Sequence, residues 1–201
     1  MSRPFPSIDN SVTIGRMPIA HVIFDAFGTL VRRPNPFSFR HHPLPSPETA
    51  MTEVRDWHAW TDQHGVQEDL QRDLDSIVAY DDVLPTLEAL RQHNIGWSIM
   101  SNLASCYGDP LRRALAVTET YPPKYWFLSY QDGLRKPDAV YYNRAVLTIG
   151  LHPEALLFIG DTRRDDVEGP ASVGMNAVLL DRNRTTLTDT VIQLLTPRFG
   201  K

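Results

Sequence analysis

Cysteine is nearly absent from this chain. One residue, Cys106, in 201 excludes an internal disulfide framework and a cysteine-rich zinc site. Long apolar runs are missing as well, and none approaches the ~20 residues needed to cross a bilayer. Neither sign of charge dominates: 20 Lys and Arg against 24 Asp and Glu leave a net charge of −4, so no global basic field attracts nucleic acid or an anionic membrane. There is no glycine-rich nucleotide loop, no nucleic-acid module and no internal repeat. Residues 1–18 contain no apolar signal core and are expected to form a loose N-terminal extension, with the cytoplasm as the expected setting. What is present is ordinary: 42% hydrophobic and 22% charged residues, as in soluble globular chains. A chain of this length can bury roughly 70% of its unfolded surface and needs no staples.

Five short apolar runs read as strands: residues 19–24, 95–100, 124–128, 155–159 and 176–180. Helical patterns lie between and after them, at residues 82–93, 110–117, 138–149, 166–173 and 188–195. In the third of these, Val140, Tyr141, Ala145 and Leu147 are expected to share a face. Alternation of continuous apolar strands with helices argues for an α/β, three-layer, Rossmann-like fold: a parallel five-stranded sheet with helices on both faces. Residues 32–80 break the rhythm. A proline-rich stretch, Pro34 to Pro47, fits neither helix nor inner strand, and two helix candidates follow at 48–64 and 67–80. Inserted directly after the first strand, they are expected to form a small helical cap rather than merely to thicken the core. The expected organisation is thus an extension at 1–18, a core domain at 19–31 and 81–201, and a cap at 32–80.

Each of the first four runs ends in a polar group, at Asp25, Ser101-Asn102, Ser129 and Gly160-Asp161. In open parallel sheets the carboxyl ends of the strands form the ligand crevice, so Asp25, Ser101 and Asp161 are expected to meet in space. An isolated aspartate after a strand is usually only a turn or cap residue; the convergence carries the argument. Charge makes a second point. Asp25, Asp161, Asp165 and Asp166 against Lys136 leave about −3 in one crevice, which demands protonation or a cation.

Asp25-Ala-Phe-Gly-Thr-Leu30, Met100-Ser-Asn102, Arg135-Lys-Pro-Asp138 and Ile159-Gly-Asp-Thr-Arg-Arg-Asp-Asp-Val-Glu-Gly169 occur in that order. Together they resemble the four motifs of the haloacid dehalogenase (HAD) superfamily, over a stretch from about residue 20 to 182. The resemblance implies that Asp25 is the nucleophile, that Ser101 hydrogen-bonds the transferring group and that Lys136 neutralises nucleophile and intermediate. It implies a Mg2+ ion held by Asp25, the backbone carbonyl of Phe27, Asp161 and Asp166. Asn102, Thr29 and Arg32 are candidate contacts to a small phosphorylated or anionic substrate. At its reference pKa near ~3.9, Asp25 is expected to be ionised at neutral pH.

One departure from the pattern matters. Phosphatases of the superfamily usually carry a second aspartate two residues after the nucleophile, which protonates the leaving alcohol and then activates water. Phe27 stands there instead and cannot transfer a proton. An aromatic at this position resembles the metal-free 2-haloacid dehalogenase branch, whereas the acidic fourth motif resembles the metal-dependent phosphatases. The fourth motif weighs more, because gathered carboxylates are costly without a cation. The expectation is therefore a Mg2+-dependent phosphatase slowed by Phe27, with a dehalogenase and a weakly catalytic phospho-ligand-binding protein as alternatives. Among other residues, Arg33 is a second candidate for gripping an anion. His41, His42, His58 and His64 in the cap are candidate replacements for the missing acid. Trp57, Trp60, Tyr107 and Asp109 are candidate pocket residues, with packing or helix-start roles equally open. Cys106 lacks an activating neighbour in sequence.

Overall fold

The computed structural model describes residues 17–34, 51–53 and 55–195. Residues 1–16 of the expected extension at 1–18 and the proline-rich stretch from 35 on, including His41 and His42, lie outside the described residues.

The five apolar runs form five strands within two residues of the expected bounds: β1 His21–Phe24, β2 Gly96–Ser101, β3 Trp126–Leu128, β4 Leu156–Gly160 and β5 Asn176–Leu179. They make one sheet in the order β3-β2-β1-β4-β5, and every pairing is parallel. The sheet is buried on both sides, which is why its strands read as continuous apolar runs instead of alternating ones. Along β1, Val22 and Phe24 join one core cluster while Ile23 joins the other. The first cluster packs the sheet against α3 (Val83–Gln92), α4 (Gly108–Ala114) and α8 (Leu187–Leu195), through Leu87, Leu90, Leu111, Leu187 and Val191. The second uses α6 (Ala139–Ile149), through Tyr141, Tyr142, Ala145 and Ile149.

The chain therefore has the expected α/β architecture, with particular corrections. In α6 the buried stripe is Tyr141, Tyr142, Ala145 and Ile149, and Val140 and Leu147 face solvent. The helix expected at 166–173 is instead a π-helical turn, Arg163–Glu168, followed by the single turn α7, Gly169–Ser172. Pro170 has no N–H to donate to the carbonyl of Asp166, so one continuous α-helix cannot form there. A further short helix, α5 (Ser129–Asp132), follows β3.

Between β1 and α3 stand α1 (Trp57–His64) and α2 (Gln67–Asp75). α2 is shorter than the expected 67–80; within the expected 48–64, Met51 and Thr52 are helical, Arg55 and Asp56 are not, and residues 48–50 and 54 lie outside the described residues. Asp56 caps α1 by accepting from the Ala59 N–H at 2.9 Å, which fixes its start. Beyond Ser76 the chain turns back to the core. The Arg32 N–H donates to the Val78 carbonyl and the Tyr80 N–H to the Leu30 carbonyl, both at 2.9 Å, which ties the two ends of the insertion together. Trp57, Val66, Leu70 and Ile77 sit in the same apolar cluster as Phe27 and Tyr107, so these helices pack onto the end of the sheet beside Asp25.

At the opposite end of β1, His21 is buried and bonded through Nε2 to Ser98 Oγ at 2.8 Å. Burial, assisted by nearby Lys124, lowers its pKa to about 4. An unfolded His21 takes up its proton near pH 6.5, whereas the folded one stays neutral until about pH 4. Its contribution is therefore complete above pH 6.5 and lost between pH 6.5 and 4, up to about 3 kcal/mol. Asp25 has the opposite sign in this window, as described below. The comparison is accordingly between wild type and His21→Gln, which keeps a hydrogen-bonding group without titrating. From pH 7.5 to 4 the variant is expected to gain stability relative to wild type, up to the same amount; identical pH dependences would contradict the assignment.

Candidate active site

The sheet order places β1 between β2 and β4, where the strand sequence reverses direction, and a crevice opens at the carboxyl ends there. Phe24 pairs in register with Ile99 on one side and Ile159 on the other. Asp25, one residue beyond β1, thus lies beside the end of β2, where Ser101 is buried, and the end of β4, which leads to Asp161. Carboxylate oxygens of Asp25, Asp161 and Asp166 lie within 4.8 Å of one another. Asp165 is not in this group. Asp166 is placed by the π-helical turn and uses both oxygens: Oδ1 accepts from Lys136 Nζ at 2.6 Å, and Oδ2 from the Thr162 N–H at 2.9 Å.

Two glycines let these groups approach. A Cβ on Gly160 would stand 2.4 Å from Asp166 Oδ2, and one on Gly28 only 1.9 Å from Asp161 Oδ2. Gly28 also has φ +87°, a conformation that L side chains rarely adopt. It lies in the tight turn after β1, where the Leu30 and Val31 N–H groups both donate to the Ala26 carbonyl, at 2.8 and 2.9 Å.

Lys136 is buried between two acids, with Nζ 2.7 Å from Asp25 Oδ1 and 2.6 Å from Asp166 Oδ1. The two carboxylates hold its pKa above the ordinary lysine value in spite of burial. Asn102 positions this lysine. Its Nδ2 donates to the Lys136 carbonyl and its Oδ1 accepts from the Lys136 N–H, each at 2.8 Å. Expected at the substrate, Asn102 has both ends of its amide engaged in clasping the lysine loop. Removing the ammonium leaves two buried carboxylates facing each other. Lys136→Met is expected to cost about 3–5 kcal/mol in chelator at neutral pH, read by urea denaturation. A change below about 1 kcal/mol would show that the two acids do not depend on it.

The environment of Asp25 corrects one expectation. Burial raises its pKa from 3.8 to about 7; Lys136 opposes the shift, and the charges of Asp166 and Asp161 add to it. Without a metal Asp25 is thus not the fully ionised aspartate of the reference value. Because its folded pKa exceeds its unfolded one, its contribution to stability is greatest below pH 3.8 and is lost as pH rises through 7. The charge count is also corrected. Arg33 pairs with Asp161 at 2.8 Å, so three converging carboxylates face two cations and the excess is one negative charge.

Other predicted residues fall in varied places. Thr29 is wholly buried; among the described residues its hydroxyl has no partner, and its carbonyl accepts from Arg182. Arg32 is exposed, its guanidinium 4.8 Å from the centroid of the Tyr80 ring. With Arg33, Tyr80, Asp161 and Arg182 it lines a crevice of about 640 Å3. Phe27 is buried against Tyr107, edge to face at 5.9 Å between centroids. Trp57 is buried, and Trp60 packs edge to face against it, which is the packing role. His58 and His64 are exposed, and His64 bonds through Nδ1 to the Trp60 carbonyl. Asp109 is exposed in the first turn of α4. Burial pushes the Cys106 thiol up to about 12, which disfavours a thiolate. Asp73 was not anticipated. It is buried in α2 and accepts from the Tyr107 hydroxyl at 3.3 Å. Its spacing of three from Leu70 and four from Ile77 puts it on the buried stripe, and that was the available signal.

The fold is that of the HAD-like hydrolases. A family model described as HAD-hydrolase-like matches residues 133–194, the stretch from just before Lys136 through the acidic turn to α8. A predicted HAD-like family hydrolase from Porphyromonas gingivalis superposes with a TM-score of 0.71 at 16% identity, covering 90% of this chain and 100% of that one. A HAD family enzyme from Bacteroides thetaiotaomicron, in complex with magnesium and inorganic phosphate, gives 0.69 at 14% identity over 83% and 96%. A 2-haloacid dehalogenase from Pseudomonas syringae gives 0.61 at 18% identity over 88% and 98%. No curated protein matches the sequence significantly. Among the described residues no helix is long and apolar enough to cross a membrane.

Proposed function

We propose that this chain is a Mg2+-dependent phosphatase that hydrolyses a small phosphorylated substrate through a covalent phosphoryl intermediate on Asp25. The observation that carries the reading is the convergence of Asp25, Asp161 and Asp166 within 4.8 Å at the switch point of the sheet. The donor set fits the metal: carboxylate oxygens, and the Phe27 carbonyl that shares the Arg33 guanidinium with Asp161, are the hard ligands that Mg2+ takes. Asp25, Asp161, Asp166 and the Phe27 carbonyl would hold it. When bound, the ion polarises a phosphoryl oxygen and offsets the crowded negative charge.

The chain's own residues do the rest. An Asp25 carboxylate oxygen attacks phosphorus, the bond to the leaving oxygen breaks, and water later cleaves the aspartyl phosphate. Lys136 steadies Asp25 in the line of attack and balances the charge that builds on the intermediate. Ser101, one strand over, is assigned to the transferring group, and Arg32 to the anionic substrate at the crevice mouth. Thr29, wholly buried, is not assigned to the substrate. No side chain at position 27 can hand a proton to the leaving oxygen, which limits the enzyme to slow turnover or to good leaving groups. The reading includes a cytoplasmic setting and excludes nucleic acid and membrane as substrates.

A specific observation favours a second reading. Phe27 is buried and offers no proton donor, and a carbon–halogen bond, whose halide leaves without a proton, needs none. One pair of assays separates the two. Phosphate release from an activated aryl phosphate is expected with Mg2+ and not with chelator. Halide release from 2-haloacids in chelator, with no phosphatase activity, would reverse the ranking.

A further inference from the structure

Arg33 stands on two of the oxygens that the phosphatase reading gives to the metal. Its Nε donates to the Phe27 carbonyl at 3.1 Å, and its Nη2 pairs with Asp161 Oδ1 at 2.8 Å. Its neighbour Arg32, identical in charge, lies over Tyr80 instead. The turn is shaped for this arrangement: a Cβ on Gly28 would collide with both partners, 1.9 Å from Asp161 Oδ2 and 2.9 Å from Arg33 Nε. The donor set is thus divided between two internal cations. Lys136 holds the inner acids, Asp25 and Asp166, with its side chain 3% exposed; Arg33 holds the outer oxygens with its side chain 45% exposed.

We propose that Arg33 is a resident counter-cation of the metal site, which a divalent ion must displace from Asp161 and the Phe27 carbonyl on loading. This rests on the metal reading of the site and adds to it a competitor encoded in the chain. A half-exposed ion pair is weak and screened, and the adjoining crevice gives the released guanidinium space. A buried lysine clasped through its backbone by Asn102 has neither freedom. The arginine state lowers apparent metal affinity by the fraction of molecules in which Asp161 is occupied.

The test is titration of the purified full chain with MgCl2 by calorimetry, for wild type, Arg33→Ala and Arg32→Ala. Melting temperatures in chelator verify that each is folded. Arg33→Ala is expected to bind Mg2+ about fivefold more tightly than wild type, and Arg32→Ala within about twofold of it. Binding by Arg33→Ala alone, with none by wild type, also supports the proposal. Equal affinities in wild type and Arg33→Ala would overturn it and leave the metal site standing. An equal gain in Arg32→Ala would overturn it too, because a general positive field and not occupancy would then be at work. Absence of Mg2+ binding in all three would overturn both the metal reading and this one.

Discussion

Asp25→Asn is expected to reduce phosphate release to background, on the order of 10⁴-fold or more, because an amide oxygen cannot serve as the attacking group. The loss should not reflect unfolding. Asparagine has the same shape, and Asp166 still holds Lys136 at 2.6 Å. Because burial raises the Asp25 pKa to about 7, the folded protein at pH 8 carries a costly ionised carboxylate that the variant lacks. The melting temperature in chelator at pH 8 is therefore expected to hold or rise. Retained turnover in Asp25→Asn, or its loss only through unfolding, would remove Asp25 from the chemistry.

Restoring a carboxylate at position 27 should act in the other direction. Phe27→Asp supplies the missing proton-transfer group, a factor of about 10²–10⁴ where the leaving group needs a proton. The gain is expected with an alkyl phosphate and to be small with an activated aryl phosphate, whose leaving group departs unaided. The structure sets a penalty. Phe27 is buried against Tyr107 in the cluster that carries Trp57, Val66 and Leu70, so losing the ring costs about 3–5 kcal/mol. Turnover is accordingly compared at a temperature where circular dichroism shows the variant folded. A folded variant no faster on the alkyl phosphate would mean that proton transfer is not what the site lacks.

The sheet was legible because its strands are buried on both faces. β1 and β4 read as uninterrupted apolar runs bounded by Asp25 and Asp161, and no pattern in the chain competed with that period. The meeting of Asp25 with Asp161 followed from topology alone, since parallel strands bring their carboxyl ends to one edge. Helix faces were less legible. Val140 and Leu147 were expected inward on α6 and are exposed, because the two tyrosines at 141 and 142 set the buried stripe. The acidic turn hid its conformation because Pro170 acts on the carbonyl of a residue four back. At the site, Arg32 and Arg33 are equivalent as sequence. Only the three-dimensional course of the turn around Gly28 sends Arg33 to Asp161, 128 residues away. The raised pKa of Asp25 was hidden for the same reason: it comes from burial and from acids distant along the chain.

The most direct measurement is of the covalent intermediate itself. Wild-type protein turning over an aryl phosphate with Mg2+ is quenched in acid, digested with pepsin and examined by mass spectrometry. A phosphoryl adduct on the peptide that contains Asp25, missing from Asp25→Asn, is the result this account requires. Phosphate released steadily with no adduct on that peptide, or an adduct on another residue, would contradict it.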